Sequence, residues 1–252
     1  MNTTPTLRHM DLEEHLHDPA IKQQYVTTMF DIIAPKYDWF TRFFSLGMDQ
    51  SWKKELLGHI KDRIPHDGIA LDLASGTGDL SFAVGRLVPH GAIIGIDASP
   101  EMVRLARARK QTDGTPNVDF QVGDMMALEA PDASVDAVTI GYGLRNVPDF
   151  RGALRQIARV LKPGGILANL DFARPRNWFW RMIYLSYLSI TGNLAGWWLH
   201  GEAPVYGYIS RSIDTFVSWQ DLAKAMEECG LEVLTTSPKL MGGVCLLVAR
   251  KS

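Results

Sequence analysis

Cysteine is scarce in this sequence, which has only two, Cys229 and Cys245, among 252 residues. Neither has a second cysteine or a histidine at the spacing of a zinc site. Isolated cysteines of this kind are usually small buried apolar residues. The sequence therefore predicts neither a disulfide framework nor a metal centre.

The sequence also lacks a dominant charge and a long apolar run. Lys and Arg number 26 against 28 Asp and Glu, a balance that argues against an extended nucleic-acid surface. The most apolar window, residues 178–199, is interrupted by Arg181, Asn193 and two glycines, which disfavours a membrane-spanning helix. The first thirty residues contain no apolar signal core, so we expect a cytoplasmic protein.

The most informative stretch that is present is residues 69–79, Ile-Ala-Leu-Asp-Leu-Ala-Ser-Gly-Thr-Gly-Asp. Apolar residues around Asp72 predict a buried strand, Gly76 and Gly78 a tight turn, and residues 80–87 a helix. Such a turn presents free backbone N–H groups to a ligand. It is typical of dinucleotide, nucleotide and S-adenosylmethionine sites, although some of these turns only end a strand.

Acidic residues after the first strands indicate which ligand class fits. Asp79 in the turn would repel a pyrophosphate, whereas Asp97, at the end of the strand predicted over residues 91–97, can accept both hydroxyls of a ribose. Asp124 follows a strand over residues 118–122 and can bind the amino group of an adenine, a role compatible with capping a short helix. The pattern favours a nucleoside without phosphates.

The rest of the chain alternates strands and helices. Strands are predicted over residues 135–140 and 166–171, helices over 51–64, 150–161 and 219–229, and a closing hairpin from residues 231–236 and 242–249. This alternation predicts a doubly wound α/β fold with a mostly parallel sheet. Residues 1–17 are polar and expected to be mobile.

Two aromatic segments have alternative interpretations. Residues 18–44 are amphipathic, and the helical segment they begin either covers the sheet edge or forms the lid of an apolar pocket. Residues 178–208, with four Trp and four Tyr, form either a packed helical subdomain or the wall of a site for a hydrophobic substrate.

The loop over residues 141–148, Gly-Tyr-Gly-Leu-Arg-Asn-Val-Pro, follows the fourth predicted strand. Ligands of open parallel sheets bind at the carboxyl ends of strands near the point where strand order reverses. Arg145 and Asn146 are costly to bury there unless they meet a polar partner. This loop is therefore the predicted second half of the site.

These residues resemble the ubiquinone/menaquinone biosynthesis C-methyltransferases, a branch of the class I S-adenosylmethionine-dependent methyltransferases. The resemblance runs from about Phe30 to Lys251. It is most specific where Tyr-Gly-Leu-Arg-Asn-Val (142–147) is combined with Phe-Asp-Ile-Ile-Ala-Pro-Lys-Tyr-Asp (30–38). The glycine turn and Lys-Pro-Gly-Gly (162–165) are generic for methyltransferases. The resemblance implies a Rossmann-like, seven-stranded sheet in one domain over residues 18–252, with a helical lid (18–65) and an aromatic cap (178–215).

The resemblance also implies the site. The cofactor would be S-adenosylmethionine, with no metal, and its predicted contacts are Gly76, Thr77, Gly78, Asp97, Asp124, Met125 and Gly141. Relatives often have Asn at position 124 and Ser at position 141. The predicted catalytic residues are Arg145, which stabilises a phenolate, Asn146, which orients the ring oxygen, and Tyr37, which closes the pocket. The alternative for Arg145 is a structural bond to loop carbonyls.

The implied reaction is methylation of a ring carbon of a prenylated quinol, either a naphthoquinol or a benzoquinol. Because a prenyl tail is insoluble, we expect the aromatic cap to contact the bilayer at the inner face of the membrane. A homodimer is left open. The alternatives are a methyltransferase for another hydrophobic molecule and a non-catalytic member that binds quinone or cofactor. Residues 192–206 are longer than in many members and include Trp197 and Trp198.

Overall fold

A seven-stranded sheet forms the centre of the chain. The structure, a computed structural model, describes residues 19–34, 47–200 and 204–252, with backbone alone for residues 19–21, 193–200 and 204–207. The strands are β1 (Ile69–Leu73), β2 (Ala92–Asp97), β3 (Val118–Val122), β4 (Val135–Gly141), β5 (Leu161–Phe172), β6 (Leu231–Lys239) and β7 (Val244–Lys251). Their order is β3-β2-β1-β4-β5-β7-β6, and only β7 is antiparallel to its neighbours. The predicted doubly wound, mostly parallel sheet is confirmed.

Eight α-helices are described. They are α1 (Pro19–Ile33), α2 (Asp49–Ile60), α3 (Asp79–Gly85), α4 (Pro100–Asp113), α5 (Phe150–Val160), α6 (Trp178–His200), α7 (Pro204–Thr215) and α8 (Trp219–Glu228). Ser99 caps α4, accepting the N–H of Met102 in the manner expected of a Ser-Pro-Glu helix start. None of the helices in the described ranges is long and apolar enough to cross a bilayer.

Helices cover both faces of the sheet, as the near-continuous apolar runs of its strands require. On one face α2 packs against β5 and β7, α3 against β1 and β2, and α4 against β2 and β3. On the other face α5 packs against β5, and α8 packs against β6 and β7. Trp52, Leu56 and Ile60 of α2 are buried in the first of these layers. Helix α2 therefore covers one face of the sheet.

A third apolar cluster joins α1, α6 and α7. Its members are Tyr25, Val26, Met29, Ile33, Tyr184, Leu188, Tyr208, Ile209 and Ile213. Helix α1 ends at Ile33, just before Pro35, because proline cannot continue the helical hydrogen bonding. The whole of the N-terminus predicted to be mobile (residues 1–17), residues 35–46 and residues 201–203 of the longer segment lie outside the described ranges.

The largest difference from the sequence prediction lies at residues 162–165. Lys-Pro-Gly-Gly separates the helix predicted over residues 150–161 from the strand predicted over residues 166–171, but it falls inside β5, which begins at Leu161. The pairing of β4 with β5 shifts register here, from Val135 opposite Leu161 to Ala137 opposite Ile166. The turn residues are thus accommodated as a bulge.

Candidate functional site

A cleft of about 630 Å³ opens at the carboxyl ends of β1, β2, β3 and β4. Helix α1 lies along one side of it. The cleft is lined by Gln23, Val26, Thr27, Phe30, Ala74, Gly76, Ile96, Asp97, Ala98, Ser99, Met102, Gly123, Asp124, Met125, Gly141, Tyr142, Gly143, Asn146 and Val147. We call residues 74–76, 96–99 and 123–125 the strand-tip wall, and residues 141–147 the loop wall.

Asp97 is the central acid of the strand-tip wall. Its Oδ2 accepts the N–H of Gly76 at 2.8 Å and its Oδ1 accepts the N–H of Ser99 at 2.9 Å. Burial raises the pKa of Asp97 above its ordinary value, against these two backbone hydrogen bonds. Each oxygen keeps a second acceptor position, so a fixed carboxylate can receive a vicinal diol from the cleft.

The glycine turn has two roles. Gly76 lines the cleft with a left-handed φ of 53°, whereas Gly78 does not line it. Gly78 has a φ of 91°, and a Cβ there would lie 2.7 Å from the Phe120 ring. Gly78 is therefore required by backbone conformation and packing. Thr77 is buried and is also absent from the cleft lining among the described residues.

Asp79 is not among the described residues that line the cleft, so it is not placed to repel a pyrophosphate there, contrary to the prediction. Its carboxylate pairs with Lys53 at 2.8 Å and Arg109 at 2.6 Å. Burial raises the pKa of Asp79, but the two cations outweigh burial and hold the pKa well below its ordinary value. The carboxylate holds α2 and α4 to the start of α3.

Asp124 and Met125 continue the strand-tip wall after β3. Asp124 Oδ1 accepts the N–H of Met126 at 2.8 Å, so the expected capping contact exists alongside a position in the cleft lining. Met125 is buried beneath it. A carboxylate beside an apolar thioether suits a flat ring with an exocyclic amino group.

The loop wall begins with a strained residue. Tyr142 has a φ of 61°, which is unusual for an aromatic side chain. Its N–H donates to the Leu170 carbonyl at 2.7 Å, and its own carbonyl accepts from Arg145 Nη1 at 2.6 Å and Asn146 Nδ2 at 3.1 Å. Gly143 lets this loop approach β1, since a Cβ there would lie 2.4 Å from Ala74 Cβ. These bonds over-determine the strained conformation.

Arg145 lies behind the loop and is not among the described residues that line the cleft. The side chain is 6% exposed, Nη1 bonds Asp171 Oδ1 at 2.9 Å, and the guanidinium covers the Phe172 ring at 4.8 Å. Asp171 Oδ2 also accepts the backbone N–H of Arg145 at 3.1 Å. This geometry favours the structural alternative for Arg145. Its phenolate-stabilising role stays a prediction.

Asn146 does line the cleft, and its amide is held on both sides. Nδ2 donates to the Tyr142 carbonyl, while Oδ1 accepts from the Tyr208 hydroxyl at 3.1 Å. Tyr208 is fully buried, and burial raises the pKa of its phenol well above the ordinary value, so it acts as a donor. The third predicted catalytic residue, Tyr37, lies outside the described ranges.

Sequence reasoning missed Lys22, Asp31, Asp171 and Tyr208. Lys22 Nζ donates to the carbonyls of Arg145 at 3.2 Å and Val147 at 2.8 Å. Burial first, and then the charge of Arg145, lowers the pKa of Lys22 to about 8. One signal could have identified Lys22. It is the only basic residue of the helix Pro19–Ile33, whose only acidic residue is Asp31.

The chain is similar to proteins of one family. The model of the ubiE/COQ5 methyltransferase family matches residues 19–251. A demethylmenaquinone methyltransferase of Thermus thermophilus is 34% identical over 81% of this chain and 92% of that protein. The protein of the same name from Thermotoga maritima is 37% identical over 84% of this chain and 90% of its own length.

Solved structures support the fold. The [4+2]-cyclase SpnF has a TM-score of 0.67 at 18% identity, over 91% of this chain and 96% of its own. A SAM-dependent methyltransferase from Aquifex aeolicus has a TM-score of 0.56 at 18% identity, over 79% of this chain and 89% of its own. Both share the class I methyltransferase architecture with this chain.

Proposed function

Because this chain belongs to the ubiE/COQ5 methyltransferase family, and is therefore an S-adenosylmethionine-dependent C-methyltransferase of quinone biosynthesis, we propose that its acceptor is a naphthoquinol of the demethylmenaquinol type. The relatives described above carry the name demethylmenaquinone methyltransferase. A benzoquinol precursor of ubiquinone is the second candidate.

The charge of the cleft is the observation that supports the cofactor best. In the described part of the chain the lining includes two carboxylates, Asp97 and Asp124, and no Lys, Arg or His. A pyrophosphate would lack a cationic partner there, whereas a sulfonium cation needs none and is attracted by the two carboxylates. This replaces the argument from Asp79 and again favours a nucleoside without phosphates.

The proposed cofactor contacts follow from the strand-tip wall. Asp97 would receive the ribose hydroxyls, Asp124 and Met125 the adenine, and the backbone of Gly76 and Gly141 the methionine end. The bound cofactor would supply an electrophilic methyl group. Gly78 and Thr77 would act by shaping the turn from behind.

The loop wall would bind the acceptor. Attack by a ring carbon makes the adjacent hydroxyl more acidic, so the protein must orient that oxygen and tolerate its growing negative charge. Asn146 would contact the oxygen, and Arg145 would act through the loop by fixing the Tyr142 carbonyl and by its positive charge. Tyr37 is proposed to close the cleft over the acceptor.

Product analysis tests this proposal. The purified protein is given labelled S-adenosylmethionine with a short-tailed demethylmenaquinol or a benzoquinol precursor, and the products are identified by mass spectrometry. We expect label on a ring carbon of the naphthoquinol. Transfer to the benzoquinol alone would reverse the acceptor assignment. Cofactor binding without transfer to either would support the non-catalytic alternative.

We also propose that α6 rests on a lipid surface. Six large apolar residues between Trp178 and Ile190 are each 39% to 68% exposed: Trp178, Phe179, Met182, Ile183, Tyr187 and Ile190. The remaining exposed residue in that stretch is Ser186, so this face of α6 bears no charge. Exposed apolar Met241 is tied to the same end of α6, because Trp180 Nε1 donates to the Leu240 carbonyl at 2.8 Å.

A bilayer surface is the occupant we favour, because a tight helical stripe of apolar and aromatic side chains suits the interface and the proposed acceptor is itself dissolved in lipid. Phe179→Ser with Ile183→Ser should abolish flotation with liposomes while leaving methylation of a short-tailed quinol unchanged. Ser186→Ala on the same face is the matched control. Retained flotation would contradict the assignment, and a dimer that dissociates in the double variant would assign the face to a second copy instead.

A further inference from the structure

Helix α1 spans the cleft from one wall to the other. Gln23, Val26, Thr27 and Phe30 line the cleft, and their spacing of three and four residues puts them on one side of the helix. Each end of the same helix carries one charged side chain that bonds a different wall. Lys22 bonds the loop wall, and Asp31 bonds Ser99 of the strand-tip wall.

Lys22 holds the two carbonyls that flank Asn146. Its Nζ lies 3.2 Å from the oxygen of Arg145 and 2.8 Å from that of Val147. In the described part of the chain Lys22 has no carboxylate partner, although it is half-buried. Because a charged donor forms strong hydrogen bonds, Lys22 fixes the direction of these two backbone carbonyls. The side chain of Asn146, which lies between them in sequence, is thereby oriented as well.

Asp31 connects the other end of α1 to the cofactor end. Its Oδ1 accepts the hydroxyl of Ser99, whose backbone N–H holds Asp97 Oδ1. Asp97 Oδ2 in turn holds the N–H of Gly76. One continuous chain of hydrogen bonds therefore runs from α1 to the carboxylate assigned to the ribose.

We propose that Lys22 is a positioning residue for Asn146, and that α1, anchored through Asp31, couples the cofactor end of the cleft to the acceptor loop. The proposal rests on the proposed function of methyl transfer. When α1 seats on Ser99 and Asp97, Lys22 reaches the loop and orients Asn146. When α1 moves away from the cleft, the carbonyls of Arg145 and Val147 lose their donor and the loop is no longer held in the orientation that positions Asn146.

Kinetics of Lys22→Met test the positioning role. The methionine keeps the length of the side chain and removes the donor, and exposed Gln24→Met on the same helix is the matched control. We expect kcat to fall about tenfold or more, because hydrogen bonds from charged groups contribute about 1.5–3 kcal/mol. The Kd for S-adenosylhomocysteine should change less than about twofold, since Lys22 does not touch the strand-tip wall. Lys22→Arg should restore most of kcat. A normal kcat, or equal losses in kcat and cofactor affinity without rescue, would overturn the role.

Hydrogen exchange tests the coupling without relying on turnover. We expect S-adenosylhomocysteine to slow exchange of residues 143–147 in the wild type and in Gln24→Met, but not in Lys22→Met or Asp31→Ala. Only Asp31→Ala should also weaken cofactor binding, because it releases Ser99. If the wild type methylates no quinol, the proposed function fails while this coupling is still judged by exchange. Equal protection in all four proteins would refute it.

Discussion

The two walls of the cleft are built differently. On the strand-tip wall Asp97 and Asp124 face the cleft and are held by backbone N–H groups, two of them two residues away in sequence and the third, that of Gly76, 21 residues away. On the loop wall the side chains of Arg145 and Asn146 bond the Tyr142 carbonyl. The other partners of the loop, Asp171, Tyr208 and Lys22, lie 26, 62 and 123 residues away in sequence. The carboxylates of the strand-tip wall are available to a ligand, whereas the charged groups at the loop wall stabilise a strained loop.

This difference shows what each wall contributes. A ligand bound at the strand tips meets carboxylates fixed by the sheet itself, so affinity should depend on single side chains. A ligand at the loop meets a surface whose shape depends on a buried network, and such networks lose more than one bond when one member is removed. Substitutions on the strand-tip wall should therefore mainly lower ligand affinity, whereas substitutions on the loop wall should mainly lower stability.

Breaking the Arg145–Asp171 pair should have the largest effect. Arg145→Met leaves the Asp171 carboxylate buried without its cation, and breaking a buried pair costs about 3–5 kcal/mol. We expect a loss of this size in the free energy of unfolding in urea. Arg151→Met is the control, because its exposed pair with Glu228 should contribute about 1 kcal/mol or less. Equal losses in the two variants would remove the distinction between the walls.

Asp97→Ala should cost less stability than Arg145→Met, about 1–3 kcal/mol for the N–H groups of Gly76 and Ser99 left without their acceptor, and its main effect should be the loss of ligand affinity. Two charged hydrogen bonds to a diol are lost, so the Kd for S-adenosylhomocysteine should rise about 100-fold in calorimetry. Asp119→Ala, at an exposed acid of β3, should bind normally. A rise of less than about threefold for Asp97→Ala would mean that the ribose lies elsewhere.

Two acids of the glycine-turn segment should respond to pH with opposite signs. Burial raises the pKa of Asp72 to about 6, although Ser81 and Thr139 donate to it at 2.5 and 2.7 Å. Ionising Asp72 therefore costs stability as pH rises through about 6. The unfolding free energy of Asp72→Asn relative to wild type should increase by about 2–3 kcal/mol between pH about 4 and 8.

Asp79 supplies the matched comparison. The pKa of this carboxyl is lowered by Lys53 and Arg109 despite burial, so its stabilisation is present above its ordinary pKa and lost as the pH falls below about 4. The deficit of Asp79→Asn should shrink in acid. Urea titrations at several pH values measure both differences, and parallel profiles for the two variants would contradict these environments.

The smallest effect is expected at Met241, on the side of the third apolar cluster. Met241 is 69% exposed and has a left-handed φ of 51°. Met241→Gly should raise the free energy of unfolding by about 0.5–1 kcal/mol by relieving this conformation. The same variant should weaken liposome flotation, because Met241 adjoins the exposed face of α6. A lower free energy of unfolding for Met241→Gly would mean that the Met241 side chain makes stabilising contacts despite its exposure.

The difference between the walls also explains which parts of the fold and of the site could be predicted from the sequence. Strands β1 to β4 follow from local apolar runs, and Asp97 is the last residue of one of them, so they were predicted closely. The partners of Arg145 and Asn146 were not predicted, because Asp171 of β5 and Tyr208 of α7 are 26 and 62 residues away in sequence and no local pattern connects them to the loop. Asp79 was misread for the same reason, since Lys53 and Arg109 neutralise it from two other helices.

The sheet order has a consequence for the assembly of the sheet. Strand β6 is an edge strand and reaches the sheet only through β7, which follows it in sequence and lies between β6 and β5. Without β7, β6 has no strand to pair with and the side of β5 stays uncovered. A chain shortened before residue 244 should therefore expose unpaired strand edges and aggregate.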